Sequence, residues 1–378
     1  MKSASISGKI HEIPRKLSVL MDIKPQLVLA FASPELMSGG ELTGFVKEHL
    51  GDIPVIGCST AGEISSEGVS TGTVSLIGMH FDHTHIKCAT ANLASTDASY
   101  KAGKEIAAQL MQQDLKAVFT LGPGVNVNGS EFVKGVAENV GSSVVVTGGL
   151  AGDGTNFKKT FTMLGGETFS DKAVAFGLYG KQVRVGSGSR GGWKPFGPSR
   201  RVTKSAANVL YELDGKPALA LYKEYLGEKA AQLPSSGLLY PFAILREDRS
   251  TTGLIRTILD VDHDKESLVL AGDLPEGSIV CLMHADTDSL VEGSEDAANE
   301  AGQKDSDGVA LLISCVGRRL VMGNDVDEEI EAVQKTMGKD TAIAGFYSYG
   351  EICPFTETGK PELHNQTMTI TYITEQAA

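Results

Sequence analysis

One phrase closes a strand at three places in this chain and narrows the folds open to it. Gly57-Cys-Ser-Thr-Ala-Gly62-Glu63 and Gly345-Phe-Tyr-Ser-Tyr-Gly350-Glu351 end alike, and Ala151-Gly152-Asp153 repeats the ending. The same plan leads into each: a short apolar run, an amphipathic stretch, then a second apolar run. The three sets lie at 27–32, 40–50 and 53–56, at 117–121, 130–140 and 143–146, and at 309–314, 327–337 and 341–344. Short apolar runs bounded by glycine read as buried strands, and stretches of helical period between them read as crossover helices. Recurrence of this whole pattern indicates duplicated supersecondary structure. The expected fold class is therefore mixed α/β, with two domains built from repeated strand-helix-strand units and β-hairpins.

Between the units, 73–81 with 86–91 and 161–164 with 173–179 read as hairpins. Residues 183–202 are glycine-rich and basic, with Arg184, Arg190, Lys194, Arg200 and Arg201 around Trp193, a pairing that often marks a contact surface. Pro217 opens a helix over 218–226, as proline does in a first turn. The boundary is drawn there: a short segment over 1–24, a first domain over 25–217 and a second over 218–378. The second half reads as strands at 253–261, 267–270 and 278–285, a helix at 290–301, a polar turn from Gly302 to Gly308, and a closing strand at 366–373.

A chain of 378 residues with 41% hydrophobic residues can bury more than one core. Its formal charge of −13 lacks the dominant basic field that nucleic acid or an anionic membrane surface would select. The first residues lack a signal-peptide pattern and no apolar run approaches spanning length, so a cytoplasmic protein is expected. Five widely spaced cysteines without a CxxC pair suit reduced thiols.

Turns of this kind let backbone amides and an acid side chain approach a small molecule, which nominates Gly62, Glu63, Gly152, Asp153, Tyr349, Gly350 and Glu351. The competing reading is that each acid caps its own turn. Arg318 and Arg319 follow an apolar strand and can grip a carboxylate or phosphate. If acids and arginines share a cavity, the chemistry suits a zwitterion such as an amino acid. His364 and Asn365 precede the last strand and can donate to a ligand, although a satisfied structural histidine is the plainer account. A thiol among Cys58, Cys315 and Cys353 with His364 as base can be drawn, but nothing in the sequence brings them together. His80, His83 and His85 read as an exposed cluster and not as a metal site.

Taken together, the chain resembles the FIST family of sensory proteins. The likeness rests on Ile56-Gly-Cys-Ser-Thr-Ala-Gly-Glu-Ile64, Gly148-Gly-Leu-Ala-Gly-Asp153, Gly192-Trp-Lys-Pro-Phe-Gly197, Tyr211-Glu-Leu-Asp-Gly-Lys-Pro-Ala218, Ser314-Cys-Val-Gly-Arg-Arg319, Gly345 to Glu351 and Leu363-His-Asn-Gln-Thr-Met368. The resemblance implies an N-terminal and a C-terminal FIST domain acting as a cytoplasmic input module that binds a small molecule, in the family's case thought to be an amino acid or related metabolite. A separate output partner, such as a histidine kinase, chemoreceptor or diguanylate cyclase, is expected with it; because no nucleophile, base and orienter can be linked from the residues, a non-enzymatic protein without a cofactor is expected as well. A haem-containing nitric-oxide sensor is the alternative it leaves open, with His364 as axial ligand, and a thiol-dependent enzyme is the second.

Overall fold

The computed structural model describes residues 1–302, 308–338, 340–355 and 358–376, so most of the polar turn expected at Gly302 to Gly308 lies outside them. The repetition read from the sequence takes in more than the strand-helix-strand core of each copy. Three units follow one plan, an outer strand, a helix, a strand, a helical segment, a parallel strand, the glycine turn, a hairpin and a returning strand. In the first unit the strands are Lys2–Gly8, Leu27–Ala32, Val55–Ser59, the hairpin Glu63–Ser65 with Gly68–Ser70, and Val74–His80. The second uses His85–Asn92, Leu115–Gly122, Val145–Leu150, Thr162–Leu164 with Glu167–Phe169, and Lys172–Tyr179. The third uses Val183–Arg190, Val309–Cys315, Ala342–Ser348, Gly350–Pro354 with Pro361–His364, and Met368–Glu375.

Each unit supplies four strands of a six-stranded sheet, and the last two come from another unit's hairpin. The first unit's hairpin joins the third sheet through Phe346 opposite Glu63. The second unit's hairpin joins the first sheet through Cys58 opposite Thr162, and the third unit's joins the second sheet through Leu150 opposite Gly350. The exchange closes a ring, so no unit completes its sheet alone.

Strand alternation explains where the cores lie. Leu27, Leu29 and Phe31 face a core that they share with Phe119, Leu121 and Phe176 of the second sheet and Leu311, Ile313 and Phe346 of the third. Phe31 and Phe346 stack there at 4.9 Å. Val28, Ala30 and Ala32 point the other way, onto the helices Ile13–Met21 and Glu41–His49. Burial on both faces is why these strands read as unbroken apolar runs.

Two expected hairpins are corrected by this topology. Val74–His80 and His85–Asn92 belong to different sheets, and so do Thr162–Leu164 and Lys172–Tyr179. The short link after Val74–His80 is pinned instead by Glu375, which accepts from the Asp82 and His83 amides at 2.7 and 2.9 Å.

Gly57 and Gly345 occupy the same place in their units, opposite Ala30 and Leu312. A Cβ would lie 2.0 Å from the Ala30 carbonyl oxygen at Gly57 and 1.8 Å from that of Leu312 at Gly345. Gly345→Ala is therefore expected to force two buried strands apart and to cost about 3 kcal/mol, read as a lowered denaturation midpoint.

Between the third unit's outer strand and its helix Thr287–Ala301 sits an insert with its own nine-stranded sheet, from Lys194–Pro195 to Ile279–His284. The helix Ala218–Leu226 covers this sheet, with Leu210, Leu221, Tyr222, Phe242, Leu268 and Leu282 in its core. The join drawn at residue 217 lies within the insert: Arg200–Ala206 and Val209–Leu213 precede it, and Ser267–Leu270 and Ile279–His284 follow. Trp193, in the basic stretch read as a contact surface, is instead 9% exposed and donates to the Gln366 carbonyl at 2.8 Å, fastening the insert to the third unit. No helix among the described residues is long and apolar enough to cross a membrane.

Candidate functional site

The three glycine turns meet. Ser59 carbonyl accepts from the Gly152 amide at 2.9 Å, and Ser59 Oγ donates to the Gly152 carbonyl at 2.7 Å. The first turn meets the third through Ala61 N–H to Tyr347 O and Tyr347 N–H to Gly62 O, both 2.8 Å. The third meets the second through Tyr349 N–H to Leu150 O at 3.2 Å. Gly62, Gly152 and Gly350 thus sit in one junction.

The acids of that junction are turned inward. Glu63 accepts from Thr60 Oγ1, and from Thr73 N–H and Oγ1 at 3.0 and 2.7 Å. Glu351 repeats the arrangement, with Ser348 Oγ at 2.6 Å and Thr367 N–H and Oγ1 at 3.2 and 2.9 Å. In both, a hydroxyl three residues back and the threonine before the unit's last strand hold the carboxylate. Asp153 differs: the amides of Phe157, Lys158 and Lys159 wrap it at 2.8, 2.9 and 2.9 Å, and Tyr349 Oη donates to it. The self-capping account of the turns therefore holds, and the three acids are 1%, 4% and 0% exposed at Glu63, Asp153 and Glu351.

Burial pushes Glu351 up to about 8, against the hydrogen bonds from Ser348 and Thr367 that hold it down. Glu63 is raised for the same reason. An acid whose folded pKa exceeds its unfolded one stabilises the fold at low pH, and that contribution is lost as pH rises through the folded value. Wild-type stability is therefore expected to fall between about pH 5 and 9, and Glu351→Gln to remove part of that slope, as denaturant titrations at the two pH values will show.

Arg318 and Arg319 are divided between two structural tasks. Arg318 is fully buried and paired with Glu329 at 2.6 Å, with further bonds to Gly191 O, Leu290 O and Ser294 Oγ. Glu329 also accepts from Ser314 Oγ at 3.0 Å and from Tyr347 Oη. The expected grip on a ligand is thus spent on the protein's own carboxylate. Arg319 donates to Ala61 O and to Thr71 Oγ1 at 2.7 Å, and lies over the Tyr347 ring, so it clamps the first turn.

His364 is 3% exposed, with Nδ1 at 3.3 Å from Ser189 Oγ and Nε2 at 3.1 Å from the Cys353 carbonyl. Burial lowers it to about 4, which keeps it neutral. With both ring nitrogens engaged inside the protein, it does not fit the role of an axial haem ligand, and no thiol is among its hydrogen-bond partners in the described residues. Burial also raises the Cys58, Cys315 and Cys353 thiols, the reverse of nucleophile activation. Asn365 is 1% exposed and finds no hydrogen-bond partner for either amide atom. No group of three or more His, Cys, Asp or Glu that could hold a metal ion occurs among the described residues.

Open space lies beside this junction, along the seam between the insert and the three-unit body. One cleft of about 700 Å3 is walled by the second unit's helix Gly129–Val140, residues 358–362 of the third unit and the insert. Arg256, from the insert strand Thr251–Arg256, lines it while only 4% exposed. Its Nε donates to Asp273 O at 2.8 Å and its Nη1 to Ile255 O at 3.1 Å and Leu363 O at 3.2 Å. These partners are all carbonyl oxygens. Desolvation lowers its pKa, with Glu362 and Asp273 acting only as nearby charges that raise it. Ser130 Oγ, on the same wall, is buried without a partner. A Cβ on Gly272 would lie 3.1 Å from Arg256 Nε and 3.2 Å from Ser130 Oγ, so a glycine there leaves room between them. Glu131, Glu138, Asp273 and Glu362 supply negative charge to the lining of the cleft, and Lys134 and Lys360 positive.

Sequence reading missed Arg256. Its signal was the one charged residue of the strand Thr251–Arg256. None of the residues nominated at the turns lines this cleft.

The FIST N domain matches residues 26–216 and the FIST C domain residues 218–354. An uncharacterised protein of Methanocaldococcus jannaschii, MJ1623, is 27% identical over 343 residues, covering 81% of this chain; the chain spans 65% of that relative's length. Among solved structures, a cyanuric acid hydrolase from A. caulinodans aligns over 100% of this chain and 99% of its own, with 7% identity and a TM-score of 0.36. With both domain models in order along most of its length, the chain belongs to the FIST family, whose domains are associated with sensing in signal transduction.

Proposed function

We propose that this chain is a non-enzymatic cytoplasmic sensor that binds a small zwitterion of amino-acid type in the cleft at Arg256 and signals to a separate protein. The observation that carries this reading is a guanidinium buried on the wall of an open cleft with no carboxylate hydrogen-bonded to it among the described residues. Buried charges are ordinarily paired, so the arrangement is incomplete until an anionic group arrives. A ligand carboxylate meets Arg256 and the Ser130 hydroxyl, and the surrounding acids, Glu362 foremost, suit an ammonium group. Glu362 is itself half-exposed enough to reach the cleft and is raised by burial, as an acid awaiting a counter-charge would be.

The position of the cleft supplies the signal. Its walls belong to the second unit, the third unit and the insert, so a ligand that touches all three favours the arrangement in which they are closest. A separate signalling protein, of the histidine kinase, chemoreceptor or diguanylate cyclase kind, reads that change. The reading uses neither haem nor a thiol nucleophile, in keeping with the engaged ring of His364 and the raised thiols.

A thermal-shift panel of the common amino acids and related zwitterions tests it. At a hundredfold excess over Kd, a true ligand adds about 2.7 kcal/mol to the folded state, which raises the melting midpoint by several degrees. A panel in which no member stabilises the protein would count against the proposal.

A further inference from the structure

A second cleft of about 670 Å3 opens along the same seam and is chemically unlike the first. Phe157, Leu238, Leu239, Leu259 and Leu320 give it apolar walls, and Asp260 is its one titratable lining residue. Leu259 and Leu320 are 38% and 39% exposed, unusual for large apolar side chains in this chain. Among the described residues, more than a third of each side chain is left open to solvent.

Phe157 is held in place at a cost. Its φ of +52° lies in the left-handed region, where an aromatic residue is an outlier. Strain of this kind persists only when the surroundings impose it, and it concentrates at functional sites. Here the imposing element is Asp153, whose carboxylate gathers the Phe157, Lys158 and Lys159 amides. The result is a ring packed on Tyr349 at 4.1 Å and 13° between planes, with its remaining surface lining the cleft. Tyr349 in turn donates to Asp153 and to the Gly154 carbonyl at 3.1 Å, so the platform is fixed from behind by the turn junction.

We propose that this cleft binds a flat heteroaromatic ring, stacked on Phe157 between the leucine walls. An aromatic platform favours offset stacking with a second ring. The amides of Asn156 and Gln232 at the rim offer donors and acceptors to heteroatoms on the ring's edge. The single acid and the absence of basic residues from the lining disfavour a carboxylate or phosphate as the anchoring group. The site is independent of Arg256, which lines only the other cleft.

Saturation-transfer NMR of the full chain with adenine, indole, nicotinamide and quinoline tests this. At least one probe is expected to receive saturation on its ring protons. Phe157→Ala, and separately Leu320→Arg, which blocks the rim without touching the Tyr349 stack, are each expected to weaken binding at least tenfold. Arg256→Met is expected to leave it as in wild type. Should Phe157→Ala not fold, Leu320→Arg carries the test. The proposal is overturned if no probe receives saturation, if the signal survives in the folded variants, or if Arg256→Met abolishes it.

Discussion

Glu329→Gln is expected to cost about 3–5 kcal/mol of folding free energy. Glu329 and Arg318 are both fully buried, and the carboxylate is the only group of opposite charge paired with that guanidinium among the described residues. Replacing it with an amide leaves the charge of Arg318 in the interior with neutral partners only. The amide also turns an N–H₂ toward donors, since Ser294, Ser314 and Tyr347 all point hydroxyls at the same carboxylate. A pair removed as a unit is less harmful than one partner removed alone. Arg318→Met combined with Glu329→Leu is therefore expected to lose less than the two single changes added together. Denaturation midpoints of the four proteins give the coupling directly.

Arg256→Met is expected to behave in the opposite manner, with a large effect on binding and a smaller one on stability. Like Arg318 it is an arginine almost wholly removed from water, but its partners are three backbone carbonyls. The methionine gives up those hydrogen bonds, yet it also removes a desolvated charge, so the stability change falls well short of that at Glu329. What is lost is the anionic grip. Hydrogen bonds to a charged group contribute about 1.5–3 kcal/mol, which corresponds to an affinity loss of about tenfold to a hundredfold. A Glu329 variant that keeps binding while it loses stability, beside an Arg256 variant that does the reverse, separates the structural arginine from the functional one.

The units of the fold were legible because their central strands are buried on both faces and so stand out as apolar runs between glycines. What the sequence does not carry is partnership. Glu63–Ser65 is a three-residue strand just after a turn, and nothing local says that it pairs with Ala344 to Phe346 and not with its own unit. The same holds for Val74–His80 and His85–Asn92, adjacent in the chain and parted between sheets. The acids of the turns were found for the right reason, close approach of backbone, and given the wrong partner. Thr60 and Ser348, each three residues before its glutamate, were the readable sign of internal capping. Arg256 was hidden because a lone arginine in a strand has no motif; its meaning comes from the loop at Gly272 and the helix at Ser130, which are distant in sequence.

The most direct test of the account is isothermal titration calorimetry of the full chain against the amino acid that stabilises it most, run in parallel on Arg256→Met. Saturable one-to-one binding to wild type and a loss of at least tenfold in the variant are expected, with Phe157→Ala unchanged. Equal affinity for wild type and Arg256→Met would contradict it.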